Sequence, residues 1–295
     1  MNQIYDQFLI RGLFALSFAL TLYLYKYFHI LLYPSSKQQI LTPFVVEINA
    51  ADTIHFFSRL MGFAIIFSQF NFVIQESILL SLLDFFVKSF FSITFYLISC
   101  FILESLVLYN FTYDDEIVKK RNLAYAIISM THSISAAYLI NVIFTLSINS
   151  IPFLSILWMT TIIILGLISM SFKLYSNQSI ETHIYKKDVT GSIAYVGYMA
   201  GAIAILASSL DHSIDNIQWY LVQFILKTLL SAIFLPIIFK VINIVLNVKL
   251  KLIRSQKNET EQLMAVNIYE AILFFTACLF VVVITNQITF NNIYN

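Results

Sequence analysis

The chain has 295 residues, of which 59% are hydrophobic and 11% charged, and its net charge is +1. A soluble domain carries roughly 25% charged residues, so the 17 basic and 16 acidic side chains here cannot cover a water-facing surface of normal size. A soluble globular enzyme, a nucleic-acid-binding protein and a disordered chain are excluded on that ground, leaving an all-α polytopic membrane helix bundle.

A helix needs about 20 mostly apolar residues to cross a bilayer. Eight stretches qualify, over approximately 8–33, 50–72, 77–109, 122–147, 150–174, 188–210, 217–247 and 264–286. The first contains Arg11 and Lys26 and has no small-residue cleavage site, so it reads as a membrane helix and not as a removable signal. Pro236 offers a kink in the seventh, because it deletes a backbone donor. Cys100 and Cys278 both lie in apolar runs and read as small core side chains.

Lys and Arg follow a strict alternation. Segments after odd-numbered spans hold Lys37, Lys119, Lys120, Arg121, Lys173, Lys186, Lys187, Lys249, Lys251, Arg254 and Lys257, and those after even-numbered spans hold none. The positive-inside rule places the basic connectors in the cytoplasm and both termini on the non-cytoplasmic side.

The even spans align on Asn49, Asn122, Asp188 and Asn267, at spacings of 73, 66 and 79 residues. Five residues on, each copy has Ile: Ile54, Ile127, Ile193 and Ile272. Two spans per unit preserve orientation, so the expectation is four parallel two-helix repeats. These form two membrane blocks, 1–147 and 148–295. Asn or Asp at a span start caps orphan backbone donors, which have few other partners at a membrane boundary.

The second unit reads Tyr113-Asp-Asp-Glu-Ile-Val-Lys-Lys-Arg-Asn-Leu-Ala-Tyr-Ala-Ile127. Its acidic pair, Lys-Lys, Asn and Ala-x-Ala before an apolar helix resemble the YjfL-like inner-membrane family, a bacterial domain of unknown function. Glu181 to Asp188 looks like a divergent copy. The resemblance implies a bacterial inner-membrane location and this hairpin architecture, and no reaction.

Ionisable groups inside spans are expensive and mark function or a buried pair. Asp52, His55 and Arg59 share one face of the second span. Arg59 lies ten residues after Asn49, about 15 Å in at the helical rise. The same offset gives His132 and Tyr198, offset seven gives Ser129 and Tyr195, and offset three gives Glu270 in the last unit. In parallel repeats these faces are able to converge on one axis. Asp84 and Lys88 meet at i,i+4 on the third span. Lys227 has no acid on its own span and calls for an acceptor on another, with Asp84 and Glu270 as candidates. Gly197 and Gly201 form a G-x-x-x-G that allows close helix packing.

No P-loop, H-E-x-x-H, C-x-x-C or G-x-S-x-G is present, so no enzyme and no cofactor are expected. Two functions remain. In one, a small solute or ion is moved or sensed through the polar faces. In the other, a scaffold assembles with envelope partners and conducts nothing. The lipid bilayer is the expected surrounding, nucleic acid is not a partner, and a homo-oligomer or a membrane partner stays open. The charge alternation predicts that a cysteine at Ser213 labels from the outer side and one at Ser255 from the cytoplasmic side. Reversed labelling contradicts the orientation, and labelling of both from one side contradicts the count of spans.

Overall fold

A computed structural model describes residues 2–37, 49–69, 78–146, 150–176, 178–212, 214, 216–245 and 259–288. Ser213, Ser255 and the basic residues Lys249, Lys251, Arg254 and Lys257 lie outside the described residues. The described chain is helical, with no strand among those residues. The helices are α1 (Asn2–Leu32), α2 (Ala50–Phe67), α3 (Ile78–Val107), α4 (Leu123–Thr145), α5 (Ile151–Met170), α6 (Ile180–Tyr185), α7 (Val189–Leu210), α8 (Ile217–Val245) and α9 (Glu259–Asn286). All but the short α6 are long and apolar enough to cross a bilayer, which makes eight spans. This is the build of a multi-pass membrane protein. α2 stops at Phe67, short of the expected 72, and α8 continues through Pro236.

The even-numbered spans form the centre. α2 packs on α4, α4 on α7, and α7 on α9. α3 and α5 lie against α4 on the flank, α8 lies against α9 and α7, and α1 reaches α2 through rings such as Tyr25 on Phe63. The four polar faces, able by spacing to converge on one axis, stand in a row instead. In a row they meet pairwise, as Arg59 with Ser129 between α2 and α4 and His132 with Tyr195 between α4 and α7. The α4–α7 packing also crosses the line between residues 1–147 and 148–295.

Small side chains set the closest approach in the row. A Cβ added at Gly197 would sit 2.4 Å from the Ala271 carbonyl oxygen, and one at Gly201 would sit 2.5 Å from Cys278 Sγ. The G-x-x-x-G of α7 thus faces α9 of the same chain, where packing between helices does the work that water exclusion does in soluble proteins.

Two connectors at the basic end share a local build. A short turn, Asp114–Lys119 or α6, is followed by a residue in the left-handed region, Arg121 (φ 49) or Lys187 (φ 52). Next comes the capping residue. Asn122 accepts from the Ala124 and Tyr125 N–H groups, and Asp188 accepts from the Gly191 N–H. Asn49 caps α2 in the same way, through Ala51 and Asp52. The amides also bridge connectors, Asn49 Nδ2 donating to the Ile117 carbonyl and Asn122 Nδ2 to that of Ile184. Asn267 departs from the expected pattern. It lies inside α9, because the helix-forming run from Glu259 starts the helix before the apolar stretch does. Its Nδ2 instead donates to Thr190 Oγ1 at the start of α7.

Gly197→Ala should destabilise the protein by about 1–3 kcal/mol, the usual cost of overpacking. Gly12→Ala, where a Cβ meets nothing within 4 Å, should change little. Thermal unfolding in one detergent compares the two, and equal effects would contradict the close α7–α9 contact.

Candidate functional site

Arg59 is 2% exposed on α2, at a depth where an arginine needs a counter-charge. That counter-charge is Glu104 of α3, whose Oε1 is ion-paired to Arg59 Nη2. Three further groups complete the carboxylate. The Tyr33 hydroxyl donates to Oε2 at 2.6 Å, the Ser129 hydroxyl of α4 donates to Oε1 at 2.9 Å, and His55 Nε2 lies 3.5 Å from Oε1. Arg59 Nη2 also reaches Ser129 Oγ at 3.2 Å and the Tyr33 hydroxyl at 3.4 Å. The end of α1, α2, α3 and α4 are thus tied at one point. Charge-assisted bonds of this kind offset the desolvation of two buried charges only when their remaining donors and acceptors are also satisfied.

Around the pair lies a polar and aromatic shell. The Tyr113 hydroxyl donates to Asp52 Oδ1 at 2.5 Å. His29 and His55 face each other with ring centroids 5.9 Å apart, and His29 Nδ1 is 2.9 Å from the Tyr25 hydroxyl. His29 Nε2 and His55 Nδ1 are buried without a hydrogen-bond partner among the described residues. Between the end of α1 and α3, towards the basic end, lies a cavity of about 440 Å³. Arg59, Glu104 and Cys100 lie among its lining residues, with Ser35, Tyr109 and Asp114 at its rim.

The other expected site residues are not gathered here. His132 of α4 belongs to a separate, enclosed cluster, with its Nε2 2.5 Å from the Tyr195 hydroxyl of α7 and 3.2 Å from Ser169 Oγ of α5. The Tyr198 hydroxyl donates to the Ile168 carbonyl at 2.9 Å and bonds Ser171 Oγ. Asp84 and Lys88 form an exposed i,i+4 pair at 2.8 Å, well away from Arg59 in the fold. The Lys227 ammonium makes no ion pair or hydrogen bond among the described residues, and the Lys227 carbonyl accepts from Ser231 Oγ. The expectation that Asp84 or Glu270 receives the ammonium is corrected, since Asp84 is taken by Lys88 and Glu270, half-buried on α9, makes no ion pair among the described residues.

Glu104, the residue on which the site turns, is not among those the sequence singles out. A signal for it exists. Asp84 has Lys88 four residues on, but Glu104 has only Cys100, Phe101, Val107 and Leu108 at helical neighbour positions. An acid in a span with no base on its own helix face requires one from elsewhere.

Arg59→Met or Glu104→Gln alone should cost about 3–5 kcal/mol, because each strands a buried charge. Arg59→Met with Glu104→Gln should recover much of that loss. A double-mutant cycle on unfolding stability checks it, and additive single effects would contradict the pairing. At the α7 corner, burial alone would raise the Asp188 carboxyl, but the Gly191 N–H, the Thr190 hydroxyl and His183 together hold it below its ordinary value. A carboxyl so lowered stabilises the corner above the ordinary carboxylate range, and that contribution is lost as pH falls through the lowered value. The protection of the Gly191 amide, its exchange rate relative to the intrinsic rate at the same pH, should therefore fall in acid, and Asp188→Asn should flatten the dependence. An unchanged profile in the variant would contradict the cap.

Residues 4–144 match the family model of a Domain of Unknown Function, DUF350. No curated protein and no solved structure matches the chain. The matched stretch spans the first four membrane helices and contains every residue of the Arg59–Glu104 site.

Proposed function

We propose that this protein is a non-enzymatic component of a bacterial inner membrane that binds a small polar solute or ion beside Arg59 and Glu104, as a sensor or carrier. The basic connectors would face the cytoplasm, with both termini opposite. The observation that carries the reading is that a buried ion pair borders a cavity of about 440 Å³ at the basic end. A pair that served packing alone would have no need of open space at its side. The depth of the polar groups also speaks for binding over passage. Arg59, Ser129, His132, Tyr195 and Tyr198 all lie seven to ten residues from their capping residues. They form a lateral belt, and beyond it α2 continues through Phe63, Ile65, Ile66 and Phe67.

We read the two corners with left-handed Arg121 and Lys187 as copies of one YjfL-like hairpin unit, repeated in parallel. A second reading, a scaffold that conducts nothing, is favoured by the His132–Tyr195–Ser169 cluster, which is fully enclosed.

Single cysteines in a Cys100→Ala, Cys278→Ala background separate the readings. Ser105→Cys, on the cavity wall, should react with a membrane-impermeant maleimide added from the side of the basic connectors. Ser133→Cys, buried between α4 and α3, should react from neither side. Labelling of Ser133→Cys would indicate a wet path through the row, and an inert Ser105→Cys would favour the dry scaffold.

A further inference from the structure

Resting on the reading of this cavity as a binding pocket, we propose that its ligand carries an organic ammonium group. The charges that line the cavity are Arg59, Glu104 and Asp114. Arg59 is turned onto Glu104 and closed off by Tyr33 and Ser129, so its positive charge is already answered. Behind the wall, Asp52 adds a further carboxylate, one hydrogen bond away through the Tyr113 hydroxyl. At the rim Asp114 is paired from outside by Lys119 at 2.7 Å, and Lys119 is shared with Asp115. Carboxylates thus outnumber the cations that the interior holds. With Arg59 and Glu104 neutralising each other, the charge left over is negative, from Asp52 behind the wall and from Asp114 and Asp115, which share the single cation Lys119.

About half of the remaining wall is aromatic, and the rest is small or aliphatic, such as Leu97 and Leu108. Tyr25, Tyr33, Tyr109, Tyr113 and Tyr125 line the same space, with Phe101 beside them. Ring faces attract cations, and desolvation strengthens the attraction. Aromatic walls with a surplus of carboxylate suit a weakly hydrated ammonium better than a metal cation, which demands a set of convergent oxygen ligands. Among the described residues, no three His, Cys, Asp or Glu side chains are placed to form a metal site. The cavity lies between the ends of α1 and α3, where Leu32 and Phe101 are exposed on the apolar surface and Ser35 is exposed at the basic end. An ammonium is therefore able to arrive from water or on a lipid headgroup.

The test uses the full-length Ser105→Cys protein, free of its native cysteines, in nanodiscs. Its rates of reaction with a cationic and an anionic methanethiosulfonate are each normalised to those of Tyr185→Cys, at the same end and outside the cavity. The cationic reagent should be favoured by about tenfold, the equivalent of one good charge–aromatic contact. Ethanolamine or tetramethylammonium in solution should slow the reaction if the ligand is free. Phosphatidylethanolamine in place of phosphatidylglycerol in the nanodisc should slow it if the ligand is a headgroup. Either form of protection supports the ammonium class and identifies the source. Asp114→Asn should weaken the cationic preference while the protein stays folded by thermal unfolding. Reaction with no charge preference, preference for the anionic reagent, or protection by inorganic phosphate alone would overturn the ammonium proposal and leave the pocket standing. No reaction with either reagent would overturn the pocket itself.

Discussion

A guanidinium buried some ten residues inside a membrane helix is the constraint around which the first half of this protein is arranged. At that depth an unpaired arginine costs at least ~2.5–3.5 kcal/mol. Glu104 answers the charge from α3, but a carboxylate in the same place has its own lone pairs to satisfy. Tyr33 after α1, His55 on α2 and Ser129 on α4 supply what is missing. The ion pair therefore fixes four elements at one point, and shifting α2 or α3 by a helical turn would leave a charge uncompensated, while shifting α1 or α4 would leave the carboxylate short of a donor. The cavity beside it follows from the same geometry. It lies between the end of α1, which brings Tyr33 to Glu104, and α3, which leads on to the Asp114–Lys119 turn.

The row of even spans is governed by a different rule. Apolar side chains gain nothing from leaving lipid for one another, so close packing and hydrogen bonds must hold the helices together. Gly197 and Gly201 let α7 meet α9, and the His132–Tyr195–Ser169 cluster ties α4, α5 and α7. The capping amides Asn49 and Asn122 do a third job. Each satisfies the start of its own helix and also donates to a carbonyl of the following connector. The basic end is thereby stitched laterally, and the polar clusters are held at one depth.

Much of this was legible in the sequence, for identifiable reasons. Spans follow from apolar length, and the caps follow from Asn or Asp at the edge of each apolar run. Both are local properties. Arg59 and His132 stood out because a polar group within a span is costly. What stayed hidden was the pairing. Glu104 lies inside the third span with no base on its own helix face, and the base that answers it, Arg59, comes from α2, a pairing that spacing along one helix does not reveal. Asp84, one of two candidate acceptors for Lys227, is held instead by Lys88, four residues on along its own helix. Asn267 misled because the helix-forming segment from Glu259 moved the start of α9 upstream of the apolar run. Spacing left open whether the four faces meet on one axis or satisfy one another in pairs, because helix order in the row is a tertiary property that it does not encode.

The account stands on the Arg59–Glu104 contact inside the bilayer. Solid-state NMR on protein in lipid, with 15N-labelled arginine and 13C-labelled glutamate, measures it through dipolar recoupling, and Glu104→Gln assigns the signal. A guanidinium nitrogen within about 4 Å of a carboxylate carbon, the range of an ion pair, in wild type and lost in the variant is the predicted result. An Arg59 guanidinium that shows no coupling to any glutamate carboxylate, or one that exchanges freely with water, would contradict it.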